Sequence, residues 1–197
     1  MSAGDWTASI GESAETGAGS LEFEEIVRRH EHQVFGLARW LLRRPEDAED
    51  AAQEAFFRLY QALYRSRGRF DPKRPLAPYL HRLTVNVCKD LGRRRGRFRA
   101  TPLDEMPEAG EPAAKDPSPE AAAALAEDRR IAAAALATLP IRQRAALVLR
   151  DVQGLSTREV AEALGVREVT VRTQISRARL KVREFRDRRL EWKETPS

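Results

Sequence analysis

The feature that most constrains how this chain can fold is a pattern over residues 156–183 that is typical of two helices joined by a tight turn. Ser156 is a favourable N-cap residue, and Glu159 follows three positions later, where its carboxylate can complete a capping box. Gly165 stands where the first helix must end, which is the position of a left-handed C-cap glycine. The apolar stripe between the cap and the glycine is formed by Val160, Ala161 and Leu164.

The second helix of this pattern has two different faces. Its apolar stripe, with spacings of 4, 3 and 4 residues, is formed by Val171, Ile175, Ala178 and Val182. The other side carries Arg172, Thr173, Ser176, Arg177 and Arg179. Such a face can enter a DNA major groove, where arginine suits guanine edges and phosphates. The sequence therefore predicts DNA reading by these five residues; the alternative is a solvated basic face on a helix that only packs.

Charge is distributed along the chain in blocks. The 197 residues carry a formal net charge of +5, which suits a polyanionic partner. Basic residues dominate over residues 58–99 and again from residue 129 onward, and an acidic stretch separates these two blocks. This arrangement predicts two nucleic-acid-facing units and a linker between them.

Several classes of protein are disfavoured by the sequence. The single cysteine, Cys88, cannot form an intrachain disulfide, and we interpret it as a structural thiol in a cytoplasmic protein. No signal-peptide pattern and no apolar run of membrane-spanning length is found, so we predict no membrane insertion. We find no P-loop, dinucleotide-binding loop or catalytic triad, and therefore expect neither an enzyme nor a bound cofactor.

The periodicity predicts an all-α fold of two small helical domains joined by a flexible linker, the C-terminal one a helix-turn-helix domain. The predicted boundaries are a disordered tail over residues 1–20, a helical domain over 21–99, a Pro-rich acidic linker over 100–120, the helix-turn-helix domain over 121–190 and a tail over 191–197.

The first predicted helix, from about Leu21, raises the question of a metal site. His30 lies on its apolar stripe and His32 lies two residues away, on a different helix face. No third ligand is placed beside them. We therefore expect a core-lining His30, a surface His32 and no metal.

The second predicted helix, over residues 46–63, concentrates acids in its first turns. Its buried side is predicted to be Ala48, Ala52, Ala55, Phe56, Leu59 and Leu63. The polar residues left exposed together are Asp47, Asp50, Gln53 and Glu54. A solvated N-terminus stabilised by the helix dipole would account for the acids alone. A catalytic carboxylate pair is poorly supported because no histidine or nucleophile follows. The remaining interpretation is an acidic docking face for a basic partner.

A basic loop and a helix complete the N-terminal domain. The loop over residues 65–75 contains Phe70 and Lys73. Its basic residues suit the phosphate backbone of a nucleic acid, and its aromatic side chain suits an unstacked base. In the helix over residues 76–95, the polar face carries Arg82, Asn86, Lys89 and Arg93. The amide of Asn86 can both donate to and accept from a base edge.

Three segments, in order, resemble the bacterial RNA polymerase sigma factors of the extracytoplasmic-function (ECF) type. Residues 47–56, DAEDAAQEAF, resemble the family's DAEDLVQE-F helix, which docks on the clamp coiled coil of the polymerase's largest subunit. Residues 79–95 resemble its WLYRIA-N---D--RR helix, which meets the −10 element. Residues 139–183 resemble its −35 domain and end in SRARLKV, where the family has S-RAR--L/V.

The resemblance implies a role for each candidate residue. Core polymerase would be bound by Asp47, Asp50, Gln53 and Glu54. The −10 element would be bound by Phe70, Lys73, Arg82, Asn86, Lys89 and Arg93, with Phe70 and Asn86 trapping a flipped base. The −35 element would be bound by Arg172, Thr173, Ser176, Arg177 and Arg179. The resemblance further implies an anti-sigma factor as a partner.

The chain departs from the family pattern at three positions. Tyr79 replaces the usual tryptophan of the −10 helix, and Gly92 weakens the end of that helix. Val169 replaces the usual glycine before the Thr-Val pair of the recognition helix. Tyr79 is still aromatic, so we expect the packing at that position to be kept. We expect Val169 and Gly92 to affect promoter sequence rather than protein class.

Two other functions would each explain part of the sequence. A helix-turn-helix repressor or activator would explain residues 139–183 but would leave the basic loop, Asn86 and the acidic helix without a role. A nucleic-acid enzyme would use the carboxylates of residues 46–54 with a metal. The sigma-factor interpretation accounts for all three segments.

Overall fold

The computed structural model describes residues 17–42, 44–65, 75–94 and 119–194, and these form α-helices without any strand, which confirms the predicted all-α fold. The helices are α1 (Gly17–Leu41), α2 (Pro45–Tyr60), α3 (Leu76–Arg94), α4 (Pro119–Ala137), α5 (Ile141–Leu147), α6 (Thr157–Leu164) and α7 (Glu168–Glu194). Phe70, Lys73 and most of the predicted linker lie outside the described residues.

Two helices continue into π-helical turns, and several boundaries differ from the predicted ones. The turns are Gln61–Arg65 after α2 and Val148–Val152 after α5. Helix α1 begins at Gly17, inside the predicted tail, and α7 continues to Glu194, beyond the predicted end of its domain at residue 190. Among the described residues, no helix has the length and apolar character needed to cross a membrane.

Helices α1, α2 and α3 pack against one another and form the N-terminal core. The apolar stripe of α1 is buried at Phe23, Val27, Val34, Leu37 and Leu41, while His30 is half-buried and His32 is exposed.

Helix α2 is rotated relative to the prediction. Ala51 and Ala62 are buried, whereas Ala52 and Leu63 are only partly buried. The same rotation buries Asp47, which is 2% exposed, so its predicted exposure beside Asp50 was wrong. The reason is helical spacing: residues 47, 51 and 55 follow one another at intervals of four and therefore share one face.

The C-terminal helices form the predicted helix-turn-helix. The Ser156 hydroxyl accepts a hydrogen bond from the Glu159 N–H at 3.2 Å, and the Ser156 N–H donates to Glu159 Oε2 at 2.7 Å. Gly165 ends α6 with φ of 64°, in the left-handed region. Helix α7 packs on α4, α5 and α6 through a buried stripe that includes Val171, Ile175 and Ala178. Both the capping box and the C-cap glycine predicted from the sequence are therefore confirmed.

The two halves of the chain also pack against each other, which the sequence did not predict. Helix α3 lies against α6, and α1 lies against α5. The buried guanidinium of Arg144, on α5, donates from Nη1 to the carbonyl of Leu41 at 2.8 Å and from Nη2 to the carbonyls of Ala137 and Leu139 at 2.9 and 3.2 Å. Leu41 and Ala137 are the last residues of α1 and α4, so one arginine bonds to the C-terminal ends of two helices.

Candidate nucleic-acid interface

The predicted DNA-reading face of α7 is accessible. All five of its predicted residues are exposed, namely Arg172, Thr173, Ser176, Arg177 and Arg179. Val171 and Ala178 are fully buried on the opposite side of the helix, so packing fixes the rotation of α7 about its own axis. The capped turn before α7 fixes where the helix begins. The result is a rigid helix that presents guanidinium and hydroxyl groups to solvent.

Three of these five side chains already contact other groups of the protein. Arg172 Nη2 lies 3.0 Å from Glu168 Oε2, and the Thr173 hydroxyl donates to the backbone carbonyl of Val169 at 2.9 Å. Arg179 binds both carboxylate oxygens of Asp151, at 3.1 and 2.7 Å. The hydrogen bond to Asp151 and the charge of that carboxylate raise the pKa of Arg179 above its usual value. Arg179 therefore ties α7 to the π-helical turn after α5 as well as adding positive charge to the face.

Val169 belongs to the same face but was not among the predicted site residues. It is the second residue of α7, lies three residues before Arg172, and is 62% exposed. Its departure from the family's usual glycine is the sequence signal that could have singled it out.

The polar face of α3 is accessible in part. Arg82, Asn86 and Arg93 are exposed, and Lys89 is half-buried. Arg93 Nη2 lies 3.7 Å from Asp90 Oδ1.

The structure also brings Arg82 beside the helix-turn-helix. A Cβ atom added at Gly165 would lie 3.4 Å from Arg82 Nη2. The predicted −10 face and the turn of the predicted −35 unit are thus neighbours, although the sequence suggested two separate units.

The acidic surface of α2 is smaller than predicted because Asp47 is buried beneath it. Asp50 and Gln53 are exposed, and Glu54 is half-buried with its Oε1 2.7 Å from Arg58 Nε. Phe57, an exposed aromatic residue that the sequence analysis did not select, lies on the same helix one turn after Gln53. The surface therefore combines carboxylates with an apolar side chain, a combination suited to a protein partner.

In the described part of the chain, no group of three His, Cys, Asp or Glu side chains is placed to hold a metal ion. His30 Nδ1 lies 3.4 Å from Gln33 Oε1. Burial raises the pKa of the Cys88 thiol. His81 is 4% exposed, and burial, followed by the nearby His30, lowers its pKa to about 4 against the opposing effect of Glu159.

Two family models match this chain. Sigma-70 region 2 matches residues 26–98, which include α2 and α3, and Sigma-70 region 4 matches residues 129–182, which include the helix-turn-helix. The acidic surface and the α3 face thus lie in one matched region, and the predicted DNA-reading face of α7 lies in the other.

Similar proteins carry sigma-factor names. The ECF RNA polymerase sigma factor SigE of Mycolicibacterium smegmatis is 39% identical over 83% of this chain, which spans 61% of that protein's length. The ECF RNA polymerase sigma factor SigM of Mycobacterium tuberculosis is 37% identical over 81% of this chain and 74% of its own length.

Two solved structures are also similar to this chain. One is CnrH in complex with the cytosolic domain of CnrY, with a TM-score of 0.61, 26% identity, and coverage of 92% of this chain and 95% of that one. The other is the sigma factor RpoE with the anti-sigma factor NepR from Bartonella quintana, with a TM-score of 0.64 and 21% identity, over 84% of this chain and 97% of that one. The second similarity supports the fold alone.

Proposed function

The chain belongs to the ECF family of RNA polymerase sigma factors, and from this membership we propose that it binds core RNA polymerase and directs it to promoters through −10 and −35 elements. In this function the protein makes and breaks no covalent bond itself, and it acts in the cytoplasm, where the polymerase is. The observation that carries the proposal is that three surfaces occur within the two matched family regions. These are an acidic surface on α2, a basic face on α3 and the predicted DNA-reading face on α7.

We assign the acidic surface of α2 to core polymerase. Asp50, Gln53 and Glu54 supply its polar contacts, and Phe57 supplies an apolar one. Asp47 lies beneath this surface, in the first turn of α2, where its carboxylate interacts favourably with the positive end of the helix dipole. Its contribution is to hold that turn in place for the contact.

We assign the polar face of α3 to the −10 element. Arg82, Lys89 and Arg93 provide positive charge for phosphates, and Asn86 provides an amide for a base edge. Phe70 and Lys73 keep the role that the family resemblance implies, in which the loop captures a base flipped out of the −10 element.

We assign α7 to the −35 element. Arg172, Thr173, Ser176 and Arg177 face the major groove, with arginine suited to guanine and the hydroxyl groups suited to several base edges. Arg179 contributes charge and, through Asp151, holds the helix at its angle to α5.

We further propose an anti-sigma factor as the regulatory partner. CnrH, which is 26% identical to this chain, was solved in complex with the cytosolic domain of CnrY, and this similarity supports the proposal. A helix-turn-helix repressor or activator that does not join the polymerase remains the competing function, and it gives no role to the acidic surface of α2.

The test is reconstitution from purified components, without any inhibitor. Full-length protein is mixed with bacterial core RNA polymerase and analysed by gel filtration and by transcription from a promoter library. Asp50→Ala/Glu54→Ala is compared with Glu184→Ala/Asp187→Ala, which removes the same charge from exposed positions near the end of α7. We expect the wild type and the control to form a stoichiometric complex, and the α2 variant to bind about tenfold more weakly.

The competing functions predict other results. A protein that binds DNA but forms no complex with core polymerase is a helix-turn-helix regulator, and the sigma-factor proposal would then be abandoned. Equal loss of binding in the α2 variant and the control would mean that net charge, rather than the α2 surface, makes the contact.

A further inference from the structure

We propose that Val169 reads the methyl group of a thymine in the −35 element. The proposal rests on the assignment of α7 to that element and adds a specificity-determining residue to it. Thymine is distinguished in the major groove by its C5-methyl group, and apolar side chains are what contact it.

The position of Val169 on α7 places it where bases are read. Recognition helices contact base edges mainly through their N-terminal residues, and Val169 is the second residue of α7. It precedes Arg172 and Thr173 by three and four residues, so these three side chains are neighbours on one helix face. Val169 therefore enters the groove wherever Arg172 and Thr173 do.

The exposure of Val169 is not explained by folding. Its side chain is 62% exposed, whereas Val171, two residues later, is fully buried in the domain core. A β-branched residue is also a weaker helix former than most straight-chain residues. Val169 thus contributes little to the stability of the domain, and its isopropyl group is available to an outside partner.

Three polar side chains around Val169 already have partners within α7. Glu168 pairs with Arg172, and the Thr173 hydroxyl donates its hydrogen to the carbonyl of Val169 itself. The hydroxyl hydrogen of Thr173 is therefore used within the helix, while its oxygen can still accept a hydrogen bond from a base edge. Val169 is the residue in this turn whose side chain is apolar, exposed and on the reading face.

The expected discrimination follows from the size of the contact. Burying one methyl group against an apolar side chain corresponds to about a fourfold change in affinity. Replacement of the thymine by deoxyuridine removes that methyl group and leaves every hydrogen-bonding group of the base unchanged. This substitution therefore isolates the proposed contact.

The experiment uses the holoenzyme formed with bacterial core RNA polymerase. A preferred −35 sequence is first selected from a duplex library randomised in that element, and each of its thymines is then replaced singly by deoxyuridine. Wild type, Val169→Ala and Leu180→Ala are compared by equilibrium binding. Leu180 is the control because it is a similarly exposed apolar residue, 56% exposed, but lies eleven residues along α7, about three turns from the N-terminal end of the helix where base edges are mainly read.

We expect one thymine at which deoxyuridine weakens binding by the wild type and by Leu180→Ala about fourfold. Val169→Ala should bind the thymine duplex about fourfold more weakly and should be insensitive to deoxyuridine at that position. Three results would overturn the proposal. The selected element could contain no thymine, the wild type could bind every deoxyuridine duplex as tightly as the thymine duplex, or Val169→Ala could lose as much affinity on deoxyuridine replacement as the wild type does. In each of those cases the holoenzyme would still have selected a −35 sequence, so the proposed function would be retained. If the holoenzyme selects no −35 sequence, the assignment of α7 fails and this inference fails with it.

Discussion

Replacing Arg144 tests whether one buried guanidinium holds the ends of α1 and α4 together. Arg144→Met removes the charge and the three hydrogen bonds to the carbonyls of Leu41, Ala137 and Leu139, while keeping a side chain of similar length. Carbonyls in the last turn of a helix have no intrahelical partner, so those of Leu41 and Ala137 depend on outside donors. A cation placed there also interacts favourably with the negative end of each helix dipole.

The magnitude follows from the three bonds. At about 1 kcal/mol for each carbonyl left without its donor, the expected loss in unfolding free energy is about 3 kcal/mol. With a urea m-value of about 2 kcal/mol/M, the midpoint of unfolding should fall by roughly 1.5 M. Arg144→Lys keeps the charge but not the forked geometry, and should lose about half as much.

The assay is urea unfolding followed by circular dichroism and by tryptophan fluorescence. Trp40, which packs against the core directly before Leu41, reports on the α1 end of the contact. Arg142→Met is the matched control, because Arg142 is an exposed arginine on the same helix. If the midpoint of Arg144→Met matched that of Arg142→Met, the three hydrogen bonds would contribute nothing to stability, and the reasoning from buried carbonyls would be refuted.

Two further predictions concern a buried histidine and a helix cap. Burial lowers the pKa of His81 to about 4 in the folded protein, whereas an exposed histidine has a pKa of about 6.5. Between these two pH values the unfolded chain therefore binds more protons than the folded chain. The free energy of unfolding should consequently fall by up to ~3 kcal/mol as the pH drops from 7 to 4. Urea titrations at pH 7, 5.5 and 4.5 should show this slope reduced in His81→Leu, and an identical slope in both proteins would contradict the assignment. Ser156→Ala removes the cap of α6 and should cost about 1 kcal/mol, seen as a lower Tm than that of the exposed control Ser176→Ala; equal Tm values would count against the capping box as a source of stability.

Local features of the fold could be predicted from the sequence because their causes are local. The capping box of Ser156 and Glu159 depends on residues three positions apart, and the left-handed Gly165 depends on the absence of a side chain. The buried stripe of α7 could likewise be predicted because it follows helical periodicity.

Features that depend on distant contacts could not be predicted. Arg144 bonds to a carbonyl 103 residues away, and nothing in its own neighbourhood distinguishes it from a solvated arginine. His81 is buried because α3 has neighbours on two sides, α1 and α2 in the N-terminal core and α6 of the helix-turn-helix. Asp47 was wrongly predicted to be exposed because several alanines allow two similar apolar faces on α2. For the candidate site, sequence reasoning selected charged, hydroxyl and amide residues by type and did not select Val169 and Phe57, whose exposure depends on the packing.

The packing of α6 against α3 sets a limit on promoter binding. Elements at −10 and −35 are about 25 base pairs apart, or about 85 Å along the duplex. Helices that touch cannot read both elements at once, so the proposed function requires the two halves to separate. The roughly 24 residues between α3 and α4 can span up to ~80 Å when extended, a distance of the same order. Only molecules whose two halves are separated can bind a promoter, so the apparent affinity is reduced by the fraction of molecules in that state. If the halves were packed together in about 99% of molecules, the promoter would be bound about 100-fold more weakly than by a fully separated protein. Any partner that binds the separated form alone therefore raises promoter affinity without touching DNA.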